Sequence, residues 1–127
     1  MNKHSYSTNK KRVLVADDDT AILHVLTLML EDAGYEVTST VDGETVQKVL
    51  SELPDLILLD IWMSGVDGRD ICKQLKSNKK TKHIPIIMIS ANKDTRDIAK
   101  EAGADDFIPK PFEMSDLLTI VKKYVNK

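Results

Sequence analysis

The feature that most restricts the fold is a run of four apolar residues, 56–59 (LILL), that ends at the charged residue Asp60. A run this short, with Gly65 and Gly68 soon after it, is typical of a strand buried on both faces of a parallel sheet. Asp60 is therefore predicted to lie at the carboxyl end of a central strand. Open α/β sheets bind their ligands at this edge, so Asp60 is a candidate functional residue.

Four other segments have the composition of short strands, and helical patterns separate them. The predicted strands cover residues 12–16, 35–40, 56–59, 86–89 and 106–109. The first three predicted helices begin after residues 17–19, 42–43 and 67–68. The last two cover residues 93–102 and 113–124. Apolar residues recur at intervals of three and four in these helices. The predicted inward faces are Ile22, Val25, Leu26, Met29, Leu30 and Ala33 in the first helix, Val46, Val49, Leu50 and Leu53 in the second, and Ile71, Cys72 and Leu75 in the third.

This alternation predicts an α/β fold with one doubly wound, five-stranded parallel sheet. Strands that alternate with helices require right-handed crossover connections, which place helices on both faces of the sheet. The expected arrangement is the flavodoxin-like (βα)5 topology with strand order 2-1-3-4-5. The domain is predicted to cover residues 12–127, after a basic and disordered tail at residues 1–11.

Composition narrows the function classes. The chain has 127 residues and a net charge of −2, and four of its basic residues lie in the first twelve, which hold no acid. The folded part is therefore acidic, which argues against a nucleic-acid-binding surface. The single cysteine excludes an internal disulfide, no apolar run approaches the ~20 residues of a membrane span, and the N-terminus lacks the apolar core of a signal peptide. We expect a cytoplasmic protein without a membrane partner.

Polar residues follow four of the predicted strands. Asp17 and Asp18 leave the first strand, Asp60 the third, Ser90 the fourth and Lys110 the fifth. Neighbouring carboxylates repel one another, and a hard divalent cation with oxygen ligands, Mg²⁺ or Mn²⁺ in its place, compensates their charge. Lys110 offers a positive charge to an anionic group beside Asp60, and Ser90 offers a hydroxyl donor. The pattern predicts a carboxylate that accepts a phosphoryl group, with Asp60 as the nucleophile.

Four segments together resemble a known family. They are residues 13–19 (VLVADDD), 56–63 (LILLDIWM) with an Asp-Gly pair beyond, 85–91 (PIIMISA) and 103–112 (GADDFIPKPF). In this order and at these separations they resemble the receiver domain of two-component response regulators, and the similarity extends over residues 12–127. A chain of this extent is expected to be a stand-alone regulator or a receiver cut from a longer protein.

The resemblance implies that a histidine kinase or a histidine phosphotransfer protein phosphorylates Asp60. It implies that Asp18 and Asp60 bind Mg²⁺ directly, that the backbone carbonyl of Trp62 is a further ligand, and that Asp17 acts through water. Such a chain is a signalling phosphoacceptor, which catalyses only its own phosphorylation and dephosphorylation, and not an enzyme acting on a separate substrate.

The resemblance also implies a switch. In the family, the residue matching Ser90 moves toward the aspartyl phosphate and the aromatic residue matching Phe107 turns inward, which remodels the surface of helix four, strand five and helix five for a downstream protein. The Lys110-Pro111 peptide is cis in relatives. Ser64 departs from the usual proline, which predicts a more mobile loop, and Phe107 departs from tyrosine.

Each alternative function predicts a residue pattern or a binding property by which it can be distinguished. A flavin-binding electron carrier has the same fold, but three consecutive aspartates after strand one would repel the cofactor phosphate. A phosphohydrolase with an aspartyl nucleophile needs an acid at the position of Trp62. An interaction module that is never phosphorylated is the third alternative, and metal titration would identify it. Asp19 is interpreted as a helix N-cap in preference to a metal ligand, and Cys72 as a core residue.

Two side chains are predicted to set the lifetime of the phosphorylated state. The ring of Trp62, two residues after Asp60, should hinder attack by water, whereas the amide of Asn92, two residues after Ser90, could orient a water molecule. We expect the bulk of Trp62 to dominate, because an oriented water helps only if it enters. The aspartyl phosphate is thus predicted to be long-lived.

Overall fold

The computed structural model describes residues 10–41, 44–63 and 65–126, with Lys93 described by its backbone alone. Five parallel strands form the main sheet: β1 (Arg12–Ala16), β2 (Glu36–Thr40), β3 (Leu56–Asp60), β4 (Ile86–Ser90) and β5 (Asp106–Pro109). Their order is β2-β1-β3-β4-β5, which confirms the predicted flavodoxin-like topology. β3 lies at the centre, paired with β1 on one side and β4 on the other.

Helices connect successive strands, and the last helix follows β5. They are α1 (Thr20–Asp32), α2 (Thr45–Glu52), α3 (Gly68–Ser77), α4 (Arg96–Glu101) and α5 (Met114–Val125). A small antiparallel hairpin, Trp62–Met63 paired with Val66–Asp67, lies between β3 and α3. In the part of the chain that the structure describes, none of the helices has the length and apolar character needed to cross a bilayer.

Two apolar cores cover the two faces of the sheet. On one face α1 and α5 pack through Leu26, Leu30, Leu117 and Val121, and on the other α2, α3 and α4 pack through Val49, Ile71, Cys72, Leu75 and Ala99. Successive residues of β3 alternate between the two cores, Leu56 and Leu58 facing one and Ile57 and Leu59 the other. Burial on both sides explains why this strand is apolar at every position before Asp60.

The predicted face of α1 was partly wrong. Val25 is 51% exposed, whereas Leu23 is buried. The helix carries apolar residues on more than one face, so intervals of three and four fit more than one stripe, and the contact with the sheet selects the stripe that includes Leu23, Leu26 and Leu30. Similarly, Val49 of α2 is buried, but Leu50 and Leu53 are exposed.

The fourth helix is shorter than the sequence predicts. A 3₁₀ turn, Lys93–Thr95, occupies the first part of the predicted segment, and α4 begins only at Arg96. The Asn92 side chain accepts a hydrogen bond from the Asp94 amide at 2.9 Å, which favours the tighter turn. The predicted turn at residues 42–43, the predicted mobility at Ser64 and most of the predicted tail lie outside the described residues.

One ion pair joins three elements at the amino edge of the sheet. The Lys76 ammonium at the end of α3 donates to the Ile84 carbonyl and to the Asp105 carboxylate, both at 2.8 Å. The same Asp105 oxygen accepts the Ile86 amide at 2.8 Å. This amino-edge ion pair therefore fixes the starts of β4 and β5 relative to α3.

Candidate functional site

Three carboxylates converge at the carboxyl edge of the sheet. Asp17 and Asp18 follow β1 directly, and Asp60 is the last residue of β3. Because β1 and β3 are neighbours, ligand oxygens of all three carboxylates lie within 4.8 Å of one another. Asp17 and Asp60 are buried and Asp18 is exposed.

Lys110 lies over this cluster, and its closest carboxylate is Asp17. Its ammonium donates to Asp17 Oδ2 at 2.8 Å and lies 3.7 Å from Asp60 Oδ2. The other oxygen of Asp17 accepts the Asp19 amide at 2.9 Å. The sequence predicted Lys110 beside Asp60, and the structure places it between the two carboxylates. The Lys110–Pro111 peptide is cis, as the resemblance implies.

The environment of Asp60 disfavours its ionised form. Burial, followed by the nearby charge of Asp17, raises the pKa of Asp60 from 3.8 to about 7, although the Lys110 ammonium and a hydrogen bond from the Trp62 backbone act in the opposite direction. One ammonium does not offset the charge of the clustered carboxylates. The site is therefore suited to a bound cation.

Ser90 closes the site on the side of β4. Its side chain is buried, and its hydroxyl oxygen accepts the Asn92 amide at 3.1 Å. The Ser90 carbonyl accepts the Lys110 amide at 2.8 Å. These contacts connect the ends of β4 and β5, so that a displacement of Ser90 would alter the loop that contains Asn92.

Trp62 forms one wall of the cleft above Asp60. The cleft has a volume of about 350 Å³, and Trp62, Ser90, Asn92 and Lys110 line it together with the aspartates 17, 18, 19 and 60. Trp62 is 49% exposed. The structure thus brings the two residues predicted to influence water attack to the same cleft as Asp60.

Glycine at position 68 allows α3 to begin against β3. A Cβ atom on Gly68 would overlap the Asp60 carbonyl oxygen and lie 2.9 Å from the Cα of Ile61. The Gly68 amide donates to the Ile61 carbonyl at 2.7 Å. The position of Asp60 therefore depends on a residue without a side chain eight positions later.

Residues interpreted as structural are structural. The Asp19 side chain accepts the Ala21 and Ile22 amides at 3.0 and 3.2 Å, which confirms it as the N-cap of α1. Cys72 is fully buried, and burial raises the pKa of its thiol to about 11. Phe107, the predicted switch residue, is buried in the core beneath α4, with the Arg96 guanidinium 5.2 Å from its ring centre.

Sequence reasoning missed two residues beside the cleft. Arg69 places its guanidinium 4.7 Å from the centre of the Trp62 ring, and Asp67 forms an ion pair with Arg69 at 2.7 Å. An aspartate two residues before an arginine is too common a pattern to have indicated this contact, which depends on the hairpin after β3.

The donor set fits a small hard cation. All three clustered side chains supply carboxylate oxygens, and their 4.8 Å spread is close to the ~4.2 Å across the coordination sphere of Mg²⁺. A cation bound among them would lower the repulsion that raises the pKa of Asp60. With Lys110 and Ser90 beside Asp60, the arrangement can accept a transferred anionic group.

Comparisons with known proteins agree on one family. The model of the response regulator receiver domain matches residues 13–122. The chain is 37% identical over 119 residues to the DNA-binding dual master transcriptional regulator RpaA of Synechocystis, an alignment that covers 91% of this chain and 49% of RpaA. The chain spans about half the length of the curated relatives it matches.

Solved structures extend the likeness to three dimensions. A response regulator from Chloroflexus aurantiacus, described as putative, is similar with a TM-score of 0.89 and 34% identity, covering 94% of this chain and 100% of that chain. The receiver domain of the sensor histidine kinase PA1611 from Pseudomonas aeruginosa has a TM-score of 0.86 at 26% identity, covering 93% and 99%. That structure has a magnesium ion coordinated in its active site cleft.

Proposed function

This chain belongs to the response regulator receiver domain family, the phosphoacceptor domains of two-component signalling, and we propose that Asp60 is the residue that accepts the phosphoryl group. The observation that carries the proposal is the position of Asp60. It ends the central strand, lies in a carboxylate cluster, and has the Lys110 ammonium 3.7 Å from its Oδ2. We propose residues 12–127 as the extent of this domain.

The chemistry that we propose is a direct transfer to the carboxylate. An Asp60 oxygen forms a bond to phosphorus while the bond from phosphorus to the imidazole nitrogen of the donor breaks, and the donor histidine retains that electron pair. Lys110 holds the negative charge of the transferred group, and the Ser90 hydroxyl donates to one of its oxygens. Because Lys110 lies within reach of both Asp17 and Asp60, it can contact the new group without a large movement.

We propose Mg²⁺, or Mn²⁺ in its place, as the cofactor, held directly by Asp18, Asp60 and the backbone carbonyl of Trp62 and through water by Asp17. The bound ion would stabilise the negative charge that develops on the transferring phosphoryl group. The acidic cluster and the magnesium ion in the PA1611 receiver support this assignment.

The proposed partners follow from the family. A histidine kinase or histidine phosphotransfer protein donates the phosphoryl group, in the cytoplasm, and a downstream protein reads the result. RpaA is named as DNA-binding, and this chain covers about half of it, so we propose that any DNA contact belongs to a region outside this receiver. The acidic balance of the chain supports that view.

The proposed output is a change in the surface formed by α4, β5 and α5. Ser90 and Phe107 are the proposed switch residues. Ser90 contacts the loop that leads to α4 through Asn92, and Phe107 packs beneath α4. Movement of Ser90 toward a phosphoryl group would break its contact with the Asn92 amide and release this loop.

Intact mass spectrometry after treatment with acetyl phosphate and Mg²⁺ tests the proposal. The unaltered chain should gain about 80 Da, the mass of one phosphoryl group, and Asp60→Asn should not. Asp19→Asn is the matched control, because it removes a carboxylate from the same cleft while asparagine still caps α1. An equal gain in Asp60→Asn would contradict the assignment.

A further inference from the structure

The side chain of Trp62 is held from behind by a charged pair, and this pair has no part in the chemistry described above. We propose that Arg69 is a positioning residue that keeps the Trp62 indole in the wall of the cleft beside Asp60, and thereby sets the rate at which water removes the phosphoryl group. The inference rests on the proposed phosphorylation of Asp60 and adds a control on its lifetime.

Arg69 lies over the ring of the Trp62 indole and is itself fixed. Its guanidinium carbon lies 4.7 Å from the centre of the Trp62 ring, within the range of a cation–π contact. The Asp67 carboxylate accepts Arg69 Nε at 3.0 and 3.1 Å and Nη2 at 2.7 Å. Two parallel donors on one carboxylate fix the plane of the guanidinium as well as its position.

Asp67 is fixed in turn by the backbone. Its Oδ1 accepts the Arg69 amide at 2.9 Å, which makes it the N-cap of α3. Asp67 also pairs with Trp62 across the hairpin that follows β3. Trp62, Asp67 and Arg69 therefore form a set of mutual contacts that we call the tryptophan clamp. Trp62 connects the clamp to the carboxylate cluster, because it follows Asp60 by two residues.

The clamp matters because the indole is otherwise weakly held. Trp62 is 49% exposed, so loss of the guanidinium would leave one ring face open to water and free the side chain to turn. Hydrolysis requires a water oxygen to bond to phosphorus as the bond between phosphorus and Asp60 breaks, which releases inorganic phosphate and restores the Asp60 carboxylate while the water proton passes to solvent. An indole held in the cleft wall beside Asp60 narrows the space through which that water must approach.

The first test needs no phosphorylation. Trp62 is the single tryptophan, so its fluorescence reports the clamp directly. Arg69→Ala should increase quenching by acrylamide and lower the fluorescence anisotropy. Lys73→Ala is the matched control, because Lys73 is an exposed cation on the same helix that makes no ring contact among the cation–π pairs of the described residues. Equal quenching in Arg69→Ala and the unaltered chain would overturn the clamp.

The second test measures loss of the phosphoryl group after excess phosphodonor is removed. Arg69→Ala should shorten the half-life about threefold, a change that a cation–π contact of ordinary strength can supply. Arg69→Lys should lose phosphate as fast as Arg69→Ala, because an ammonium cannot reproduce the paired donors that fix the side chain over the ring. Recovery of the full half-life by lysine would show that only charge matters, and would overturn the proposal.

A double-mutant cycle separates positioning from direct action. Trp62→Asn should itself speed the loss of phosphate by about tenfold, and adding Arg69→Ala to it should have no further effect. An undiminished effect of Arg69→Ala in that background would show that Arg69 acts without the indole. Failure of the unaltered chain to gain the phosphoryl mass would instead contradict the proposed function, and the fluorescence result would still decide whether the clamp exists.

Discussion

Charged side chains are paired differently at the two edges of the sheet. At the amino edge, one ammonium and one carboxylate, Lys76 and Asp105, contact each other and share backbone partners. At the carboxyl edge, the Lys110 ammonium lies among clustered carboxylates, and the pKa of Asp60 rises to about 7. The Lys76 and Asp105 charges are paired within the chain, whereas the carboxylate cluster has an excess of negative charge that a bound cation would balance.

The difference shows how one fold combines a stable frame with a reactive site. Charged groups add to stability when they are paired and hydrogen-bonded, as Lys76 and Asp105 are at the amino edge. Clustered like charges cost stability, and the cost is recovered when a cation or a proton binds. The rest of the fold therefore offsets the repulsion among the carboxylates at the carboxyl edge, and these carboxylates are kept in place to bind a ligand.

The largest predicted effect concerns Asp60 without metal. Between about pH 4 and pH 7 the folded chain keeps a proton on Asp60 that the unfolded chain releases, so stability is lost as the pH rises through about 7. Asp60→Asn stays neutral and should escape this loss. The free energy of unfolding of Asp60→Asn and of the unaltered chain is measured with urea in EDTA. The difference in favour of the variant should be about 3 kcal/mol larger at pH 8 than at pH 4.5. A gain that does not change with pH would contradict the raised pKa.

The second prediction concerns the amino edge. Lys76→Met keeps the aliphatic part of the side chain but leaves the Asp105 carboxylate without its ammonium partner, so stability should fall by about 2 kcal/mol. Arg12→Met is the control, because the Arg12–Glu36 pair is solvent-exposed at a distance of 3.8 Å and should contribute little. Equal losses in the two variants would mean that the amino-edge ion pair is no stronger than a surface pair.

The third prediction is that Mg²⁺ bound at the carboxylate cluster stabilises the folded chain. At a Mg²⁺ concentration of ten times Kd, the stability at neutral pH should rise by about 1.4 kcal/mol, seen as a higher Tm. Asp18→Ala should remove most of this gain, because it deletes one of the clustered carboxylates, whereas Asp19→Asn should retain it. A gain that persists in Asp18→Ala would place the ion elsewhere.

The smallest predicted effect is a local change in hydrogen exchange. On addition of beryllofluoride and Mg²⁺, the amides of Asn92 and Lys110, which hydrogen-bond to Ser90, should change their exchange rates. The Ile86 amide, which hydrogen-bonds to Asp105, should not. Mass spectrometry of exchanged peptides measures both. Changes confined to the loop after Asp60 would indicate a phosphoryl carrier without a conformational output.

The sequence predicted the frame well because its decisive residues are local. Apolar runs that end in a polar residue define β3 and β4, and the strand order follows from the alternation of strands and helices. That order alone was enough to bring Asp17, Asp18 and Asp60 to one edge. The chemical types at the strand ends then indicated which ligand they suit.

Other details depend on packing that no local pattern reports. Leu23 and Val25 are both apolar, and only contact with the sheet decides that Leu23 is buried. The length of Lys110 allows contact with either Asp17 or Asp60, and the exact alignment of β1, β3 and β5 decides between them. The stack of Arg69 on Trp62 requires a hairpin of two residues per strand, below the length at which alternation is informative.

Mutation of Gly68 should damage the site, although Gly68 carries none of the charged groups of the site. Every base change that alters a glycine codon to another amino acid introduces a Cβ atom, and at this position that atom meets the backbone of Asp60 and Ile61. Even the small exchange Gly68→Ala should therefore displace the backbone of Asp60, the proposed phosphoacceptor. A screen of random variants should find loss of signalling at Gly68 among its frequent outcomes, at a residue that takes no part in the reaction.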